Sequence, residues 1–192
     1  MKKYKSIKNI SDDIILQMIN LDNQVYENND AGIFEICKDW LSVNKDIYTV
    51  IECDEKVVGY INFFPVSEEC YNRYKTGKMR DCEISAKDIL PFSSSPVRCI
   101  FTSIVVDKNH QQGLVLKLLL KELKLKLKQL NVDIISILMD CVTKSGERLA
   151  LEFGNAKFIT TSPSGKLYET FNFDKIDKLL KKGFYEAKDR QC

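Results

Sequence analysis

Hydrophobic and polar positions recur along this chain in patterns that predict a series of strands and helices. A short alternating run at residues 4–10 predicts a strand. Ser11, followed by two aspartates, has the residue types of a helix N-terminus, so a helix should begin there. Apolar residues at near-helical spacing between positions 33 and 41 predict a second helix. The chain is therefore expected to begin with one strand and two helices.

The next segment predicts a β-hairpin. The runs IYTVIEC and VVGYINFF are rich in β-branched and aromatic residues and flank a polar turn at 54–56. Pro65 should end this hairpin, since proline interrupts strand pairing. Residues 66–95 break the alternation with short helix-like and turn-like stretches. We interpret them as an insertion over one edge of the sheet and not as a separate domain.

A nearly continuous apolar run, RCIFTSIVVD, predicts a central strand covered on both faces. A turn, a leucine- and lysine-rich helix and another buried strand follow, and this order requires a right-handed parallel crossover. One more helix and two strands complete the pattern. The sequence thus predicts an α/β fold with a mixed, mostly antiparallel central sheet of six or seven strands flanked by helices. The domain should span residues 1–173, with a helical tail at 174–192.

The amino-acid composition argues against several classes of binding partner. The 192 residues are 44% hydrophobic and 29% charged, as in a single globular domain, and a formal charge of +2 argues against a nucleic-acid partner. Seven cysteines without a CxxC pair or interleaved histidines predict reduced thiols and no metal site. No apolar run resembles a signal peptide or a membrane span, so we expect a cytoplasmic protein without a membrane partner.

The segment VVDKNHQQGLVLKLL places a glycine between a buried strand and a long helix. Free backbone amides at a helix start, with the helix dipole behind them, can bind an anion. Gly113 would let the main chain approach a pyrophosphate without a Cβ clash. This turn is therefore the candidate ligand site.

The same segment resembles the acyl-CoA-binding motif of GNAT acetyltransferases, in which a Val-rich strand leads through an (Arg or Gln)xxGx(Gly or Ala) turn into a helix with Leu-Leu. His110 takes the Arg or Gln position, Gly113 the first Gly and Val115 the second small residue. The element order also resembles that of the family over most of the chain. The resemblance implies acetyl-CoA as co-substrate, bound by Ser103, Ile104, Val105, Val106, His110, Gln111, Gln112, Gly113, Leu114, Val115 and Leu116.

The resemblance also implies that the main chain of residues 102–106 pairs with the pantetheine arm, because this strand splays from its parallel neighbour in the family. Three residues depart from the motif. Asp107 replaces the usual Pro, Asn109 replaces an aromatic residue, and Val115 carries a β-branched side chain where Gly or Ala is usual. His110 is either a phosphate hydrogen-bond donor or a solvated turn residue.

The tyrosine that the family often uses as catalytic acid is replaced by Phe153 in the stretch GERLALEFGNAKF. Substitute catalytic candidates are Tyr168, Asp140 and Ser103, with Glu152 beside the lost tyrosine, and each of them also suits a structural role. Glu69 and Glu83 on the insertion are candidates for recognising a cationic acceptor.

Two functions therefore remain open. The first is an N-acetyltransferase that moves an acetyl group from acetyl-CoA directly to a primary amine of the acceptor. The second is a catalytically weak or inactive GNAT-like module that binds CoA or another protein, as the loss of the tyrosine suggests. Either could work as a monomer or a homodimer.

Overall fold

The computed structural model describes residues 3–26, 32–110, 113–152 and 154–171. They form a seven-stranded mixed sheet with helices on both faces. The strands are β1 (Tyr4–Ile7), β2 (Tyr48–Cys53), β3 (Lys56–Val66), β4 (Val97–Val106), β5 (Ile134–Cys141), β6 (Lys157–Thr161) and β7 (Lys166–Thr170). The helices are α1 (Asp12–Val25), α2 (Phe34–Val43), α3 (Glu68–Lys75), α4 (Leu114–Gln129) and α5 (Lys144–Glu152).

The strand order across the sheet is β1-β2-β3-β4-β5-β7-β6. Strands β4 and β5 pair in parallel, and the other neighbours pair antiparallel. The apolar run predicted as the central strand is β4, which occupies the middle of the sheet. The predicted α/β class, sheet type and element order are confirmed.

Local signals explain several element boundaries. Ser11 caps α1, and its hydroxyl oxygen accepts a hydrogen bond from the Ile14 amide at 3.4 Å. The β2–β3 turn is built by Asp54 and Glu55, which both have positive φ, as a tight two-residue hairpin turn requires. Pro65 does not end the hairpin. It lies within β3 opposite Cys99 of β4, and its carbonyl accepts a hydrogen bond from the Leu90 amide.

The two faces of the sheet carry separate cores. Helices α1 and α2 cover one face, where Ile15, Trp40 and Tyr60 are buried together. Helix α4 covers the other face, where Leu119 packs with Phe63 in a second cluster. We call these the α1 face and the α4 face.

The insertion crosses a face of the sheet instead of following one edge. Helix α3 packs against the central strand β4. Tyr71 of this helix donates a hydrogen bond to Glu169 of β7 at 2.8 Å, and both side chains are buried. Three 3₁₀ turns follow, at Asp81–Glu83, Ala86–Asp88 and Phe92–Ser94. The insertion is thus part of the same core.

None of the described helices has both the length and the apolar character needed to cross a bilayer. The predicted tail at 174–192 lies outside the described residues.

Candidate active site

The chain leaves β4 through a 3₁₀ turn, Lys108–His110, and enters α4 at Gly113. Gly113 has a φ of +82°, and a Cβ placed on it would meet no atom within 4 Å. The space in front of the helix start is therefore open among the described residues. The first amides of a helix lack partners inside it, so this end of α4 can receive an anion. Gln111 and Gln112, predicted to contribute here, lie outside the described residues.

His110 is held by the residue that replaces the proline of the motif. Its Nδ1 lies 3.0 Å from Asp107 Oδ1, and its ring meets the Tyr4 ring edge-on at 6.0 Å. Burial raises the pKa of Asp107, but hydrogen bonds from His110 and the Asn109 amide outweigh it and hold that pKa below its usual value. His110 is thus tied into the turn and is not a solvated side chain.

Val115 turns its side chain into the core and away from the open space at the helix start. It is fully buried in the cluster of the α4 face. Gly59 of β3 lies beneath it and leaves room for the branched side chain. The departure at Val115 therefore does not fill the space in front of the amides. Leu114, by contrast, is half exposed, and Leu116 packs against the core.

Strands β4 and β5 part before either of them ends. Their parallel pairing runs from Val97 opposite Ile134 to Phe101 opposite Met139. Strand β4 continues to Val106 without pairing to β5, while Asp140 and Cys141 of β5 continue to pair with β7. Residues 102–106 thus present a main-chain edge toward a gap in the sheet, where the family resemblance implied a splayed strand. An extended ligand can add hydrogen bonds to such an edge.

A β-bulge at Thr102 sets which side chains face each side of β4. Asn62 of β3 is opposite Ser103, but the next residue, Phe63, is opposite Phe101, so Thr102 is an extra residue. A bulge shifts the alternation of side chains by one. Phe101 therefore packs on the α4 face, whereas Ser103, two residues later, lines a cavity on the α1 face.

This cavity has a volume of about 120 Å³ and lies between the gap and the helices of the α1 face. Tyr48, Asn62 and Ser103 occupy facing positions on β2, β3 and β4 along its wall, and Asp140 lies beyond the gap on β5. Helices α1 and α2 and the insertion enclose the other sides. They contribute Met18, Asp22, Tyr26, Cys37, Trp40, Arg80, Asp81 and Cys82 to the lining.

Asp22 is the most buried carboxylate of the cavity, with 2% of its surface exposed. The Tyr60 hydroxyl donates a hydrogen bond to Oδ1 at 2.6 Å, and the Gly32 amide donates one to Oδ2 at 3.0 Å. Burial raises the pKa of Asp22 from 3.8 to about 6, although both hydrogen bonds act in the opposite direction. The site therefore holds a carboxylate that changes charge close to neutral pH.

The structure separates the three catalytic candidates. Ser103 and Asp140 both line the cavity, on the two strands that flank the gap. Tyr168 does not line it, and its hydroxyl donates to Glu147 of α5, to which Lys166 also donates. That hydrogen bond is the largest cause raising the pKa of Tyr168 to about 12. Phe153 lies outside the described residues, and Glu152 forms an exposed pair with Arg148.

The insertion contributes an acidic residue to the cavity, but this residue is not one of the two glutamates that the sequence suggested. Glu83 accepts a hydrogen bond from the Arg80 amide at 2.7 Å, and both Glu69 and Glu83 are exposed away from the cavity lining. Asp81 lines the cavity instead, and its Oδ1 accepts a hydrogen bond from the buried hydroxyl of Tyr74. Of the acidic residues of the insertion, Asp81 thus lines the cavity, whereas Glu69 and Glu83 do not, and recognition of an acceptor by these two stays a prediction.

Asp22, Tyr60 and Asp81 were missed by the sequence analysis. One signal was present for Asp22, because it lies four residues after Met18 and seven after Ile15, on the apolar side of α1. A carboxylate on the buried face of a helix is uncommon and needs a partner. The sequence offered no comparable signal for Asp81, which depends on how the insertion folds over the sheet. In the described part of the chain, no group of three His, Cys, Asp or Glu side chains could hold a metal ion.

No protein-family model matches the sequence, and a comparison with curated proteins finds no significant match. Solved structures do match. The loading GNATL domain of CurA from Lyngbya majuscula aligns with a TM-score of 0.62 and 12% identity over 92% of this chain and 99% of that chain.

Two further solved structures agree. The diaminobutyrate acetyltransferase EctA from Paenibacillus lautus, in complex with L-2,4-diaminobutyric acid and coenzyme A, aligns with a TM-score of 0.58 and 13% identity over 90% of this chain and 97% of that one. Ard1 from Thermoplasma volcanium aligns with a TM-score of 0.55 and 14% identity over 86% and 94% of the two chains. At identities this low, the alignments show the fold alone. That fold agrees with the acyl-CoA-binding motif in the sequence, and we conclude that this chain has the GNAT acetyltransferase fold.

Proposed function

We propose that this protein is an N-acyltransferase that moves an acetyl group from acetyl-CoA directly to a primary amine. The observation that carries the proposal is the gap between β4 and β5. Strand β4 runs along this gap toward the helix start at Gly113, and the carboxylate-lined cavity adjoins it at Ser103 and Asp140. One ligand with an anionic end and an extended amide-containing arm would suit the helix start and the free strand edge together.

The residues present fit acetyl-CoA at this place. The open space at Gly113 would let a diphosphate approach the first amides of α4, which lack partners inside the helix. The edge of β4 at Ser103, Ile104 and Val105, which does not pair with β5, would form hydrogen bonds with the pantetheine amides. When bound, acetyl-CoA would supply the acetyl group as a thioester. Val115 would anchor the helix start from the core side.

The cavity favours a cationic acceptor. Asp22, Asp81 and Asp140 contribute three carboxylates to its lining, against one guanidinium from Arg80. An excess of negative charge in an enclosed space attracts an ammonium group and disfavours an acidic one. The aromatic walls from Trp40 and the tyrosines suit a cation with an apolar stem. We therefore infer a small amine as the acceptor.

Direct transfer agrees with the thiols of the site. An acyl-cysteine intermediate would require a thiolate, but burial raises the pKa of Cys37, which lines the cavity, and raises that of Cys141 beside the gap to about 12. These two thiols therefore keep their protons, which favours the amine itself as the nucleophile. Ser103 and Asp140 line the cavity on the two strands that flank the gap, and we propose that they contact the reacting groups.

Two measurements test the proposal. Acetyl-CoA at about 100 times its dissociation constant should stabilise the fold by about 2.7 kcal/mol, because it binds the native state alone. Release of the CoA thiol in the presence of 1,4-diaminobutane should then show turnover. Binding without turnover would favour the inactive CoA-binding module. An unchanged melting curve at millimolar acetyl-CoA would refute the acyltransferase and favour a module that binds another protein.

A further inference from the structure

Asp22 and Tyr60 connect α1 to the gap in the sheet. Tyr60 is buried on β3 and donates its hydroxyl proton to Asp22 Oδ1 at 2.6 Å. Burial, and next the charge of Asp22, raise the pKa of Tyr60 well above 10. The tyrosine hydroxyl therefore keeps a proton at neutral pH and can pass one on only by receiving another.

On its other side, Tyr60 reaches the splayed part of β4. Tyr60 is opposite Val105 in the β3–β4 register, so Ser103 is its diagonal neighbour on the same face. The side chain of Ser103 is close enough to the Tyr60 hydroxyl to lower its pKa. Asp22, Tyr60 and Ser103 all line the same cavity. A line of polar groups thus runs from the gap, through Tyr60, to a buried carboxylate.

The proposed reaction needs a proton acceptor at this place. An amine is mostly protonated at neutral pH and must lose a proton before its lone pair can attack a thioester. A base works best when its pKa lies near the working pH, and the pKa of Asp22 is raised to about 6 by burial.

The groups whose charges interact directly with that of Asp22 stay neutral as the pH passes 6. They are Tyr48 of β2, Cys37 of α2 and Tyr60 itself, and burial raises the pKa of each above its usual value. Tyr26, at the end of α1, also faces Tyr60 and lines the cavity. Asp22 is the carboxylate within this group, so its charge controls the local change near pH 6.

We propose that Asp22, acting through the Tyr60 hydroxyl, receives the proton that the acceptor amine loses during acyl transfer. This inference rests on the proposed acyltransferase function. The ammonium form of the amine gives one proton to Tyr60 Oη while Tyr60 passes its own proton to Asp22 Oδ1. The lone pair of the neutral amine then forms the C–N bond, and the C–S bond breaks. The CoA thiolate takes the second proton from nitrogen, and Asp22 later releases its proton to water.

The experiment compares wild type with Asp22→Asn and Tyr60→Phe, using acetyl-CoA with 1,4-diaminobutane, and acetyl-CoA with water as the slow acceptor. For wild type we expect kcat/KM to rise with pH along an acid limb near pH 6. Each variant should lower kcat by about 100-fold or more, with the KM for acetyl-CoA unchanged within about twofold. The acid limb should disappear in Asp22→Asn, and Asp22→Glu should restore part of the rate.

The matched control is Asp13→Asn, a carboxylate on the exposed side of the same helix that accepts a hydrogen bond from Gln17 at 2.8 Å. It should leave the rate and the pH profile unchanged. Melting temperatures of all the variants separate lost chemistry from lost folding.

Three results would overturn the inference. If Asp22→Asn keeps a third or more of the wild-type rate, or keeps the acid limb, Asp22 is a structural anchor for Tyr60 and the proposed acyl transfer stands without it. If carbon-13 NMR of the Asp22 carboxyl shows titration at its ordinary pKa, the base assignment fails independently of activity. If wild type neither binds acetyl-CoA nor releases its thiol, the proposed function fails and the inference falls with it.

Discussion

Val115 of α4 lies directly over Gly59 of β3, so closely that a Cβ on Gly59 would come within 2.8 Å of Val115 Cγ1. The pair explains how a valine replaces the small residue of the acyl-CoA motif. The space for its methyl groups comes from the sheet, where glycine has no side chain, and not from the turn that faces the ligand. A departure in the motif is thus matched by a residue more than fifty positions away in sequence.

Gly59→Ala should destabilise the protein by about 1–3 kcal/mol, because the added methyl group overpacks this contact. The methyl group would also approach the Val105 carbonyl oxygen at 2.9 Å, and a backbone atom cannot move aside easily. Adding Val115→Ala should relieve part of the cost and give a coupling of about 1 kcal/mol in a urea-unfolding double-mutant cycle. Leu123→Ala, which removes another buried residue of α4, should be additive with Gly59→Ala. Additivity of the Val115 pair would contradict the contact.

Gly113→Ala should weaken acetyl-CoA binding by about tenfold, because its Cβ enters the space in front of the helix amides. It should also cost about 1 kcal/mol of stability, since Gly113 has a φ of +82°. Asn131→Ala is the control, at a φ of +50° after the far end of α4. It should lose stability without losing affinity in titration calorimetry. Equal affinities for the two variants would place the ligand elsewhere.

Asp22 should make the stability of the protein depend on pH. Its folded pKa of about 6 lies above the ordinary 3.8, so the native state binds the extra proton. The stability that this proton provides is fully present below pH 3.8 and is lost as the pH rises through 6. The Asp22→Asn variant has no titrating carboxyl group at this position, so it lacks this pH-dependent contribution to stability. Between pH 4.5 and pH 8, the difference in unfolding free energy should shift by about 2 kcal/mol in favour of the variant. Urea unfolding at the two pH values measures the shift, and a constant difference would refute the raised pKa.

The ion pair between Lys75 of α3 and Glu169 of β7 should hold the insertion on the sheet. Its shortest N–O distance is 2.7 Å, and the glutamate side chain is 5% exposed. Lys75→Met leaves the buried Glu169 carboxylate with the hydrogen bond from Tyr71 but without its ammonium partner, so we expect a loss of about 2 kcal/mol in the free energy of unfolding. Adding Glu169→Gln should recover most of this loss.

Lys38→Met provides a surface comparison for that experiment, because Lys38 and its partner Asp12 are both about half exposed. This variant should leave the unfolding free energy nearly unchanged, because solvent screens an exposed pair. A similar loss in Lys38→Met and Lys75→Met would show that burial adds nothing to the Glu169 pair.

The order of strands and helices could be predicted from the sequence because the patterns that indicate each element are local. Alternation, the Ser11 cap and the leucine spacing of α4 each depend on neighbouring residues, and together they fix the order of elements. The splay of β4 from β5 came from the family resemblance carried by the turn at Gly113. The prediction that Pro65 ends the hairpin was wrong because an antiparallel strand accepts proline where the amide is not needed for pairing. Strand β3 therefore continues past Pro65.

The acceptor side of the site depends on long-range placement, which local patterns do not report. Asp81 enters the cavity because the insertion folds back over the sheet, and Tyr168 misses it because Glu147 of α5 binds its hydroxyl. Asp22 becomes significant once Tyr60, thirty-eight positions later, is known to touch it. Contacts of this kind are fixed by tertiary packing, so composition and spacing leave several carboxylates equally eligible.

The extra residue in β4 has an evolutionary consequence. Deleting Thr102 would leave Phe101 and Ser103 opposite the same residues of β3 and on the same two faces, because the ladder on either side of it is already in register. Deleting a residue from the regular stretch 103–106 would instead turn the side chains on one side of the deletion to the other face. Position 102 is therefore where this strand is expected to tolerate the loss of a single codon.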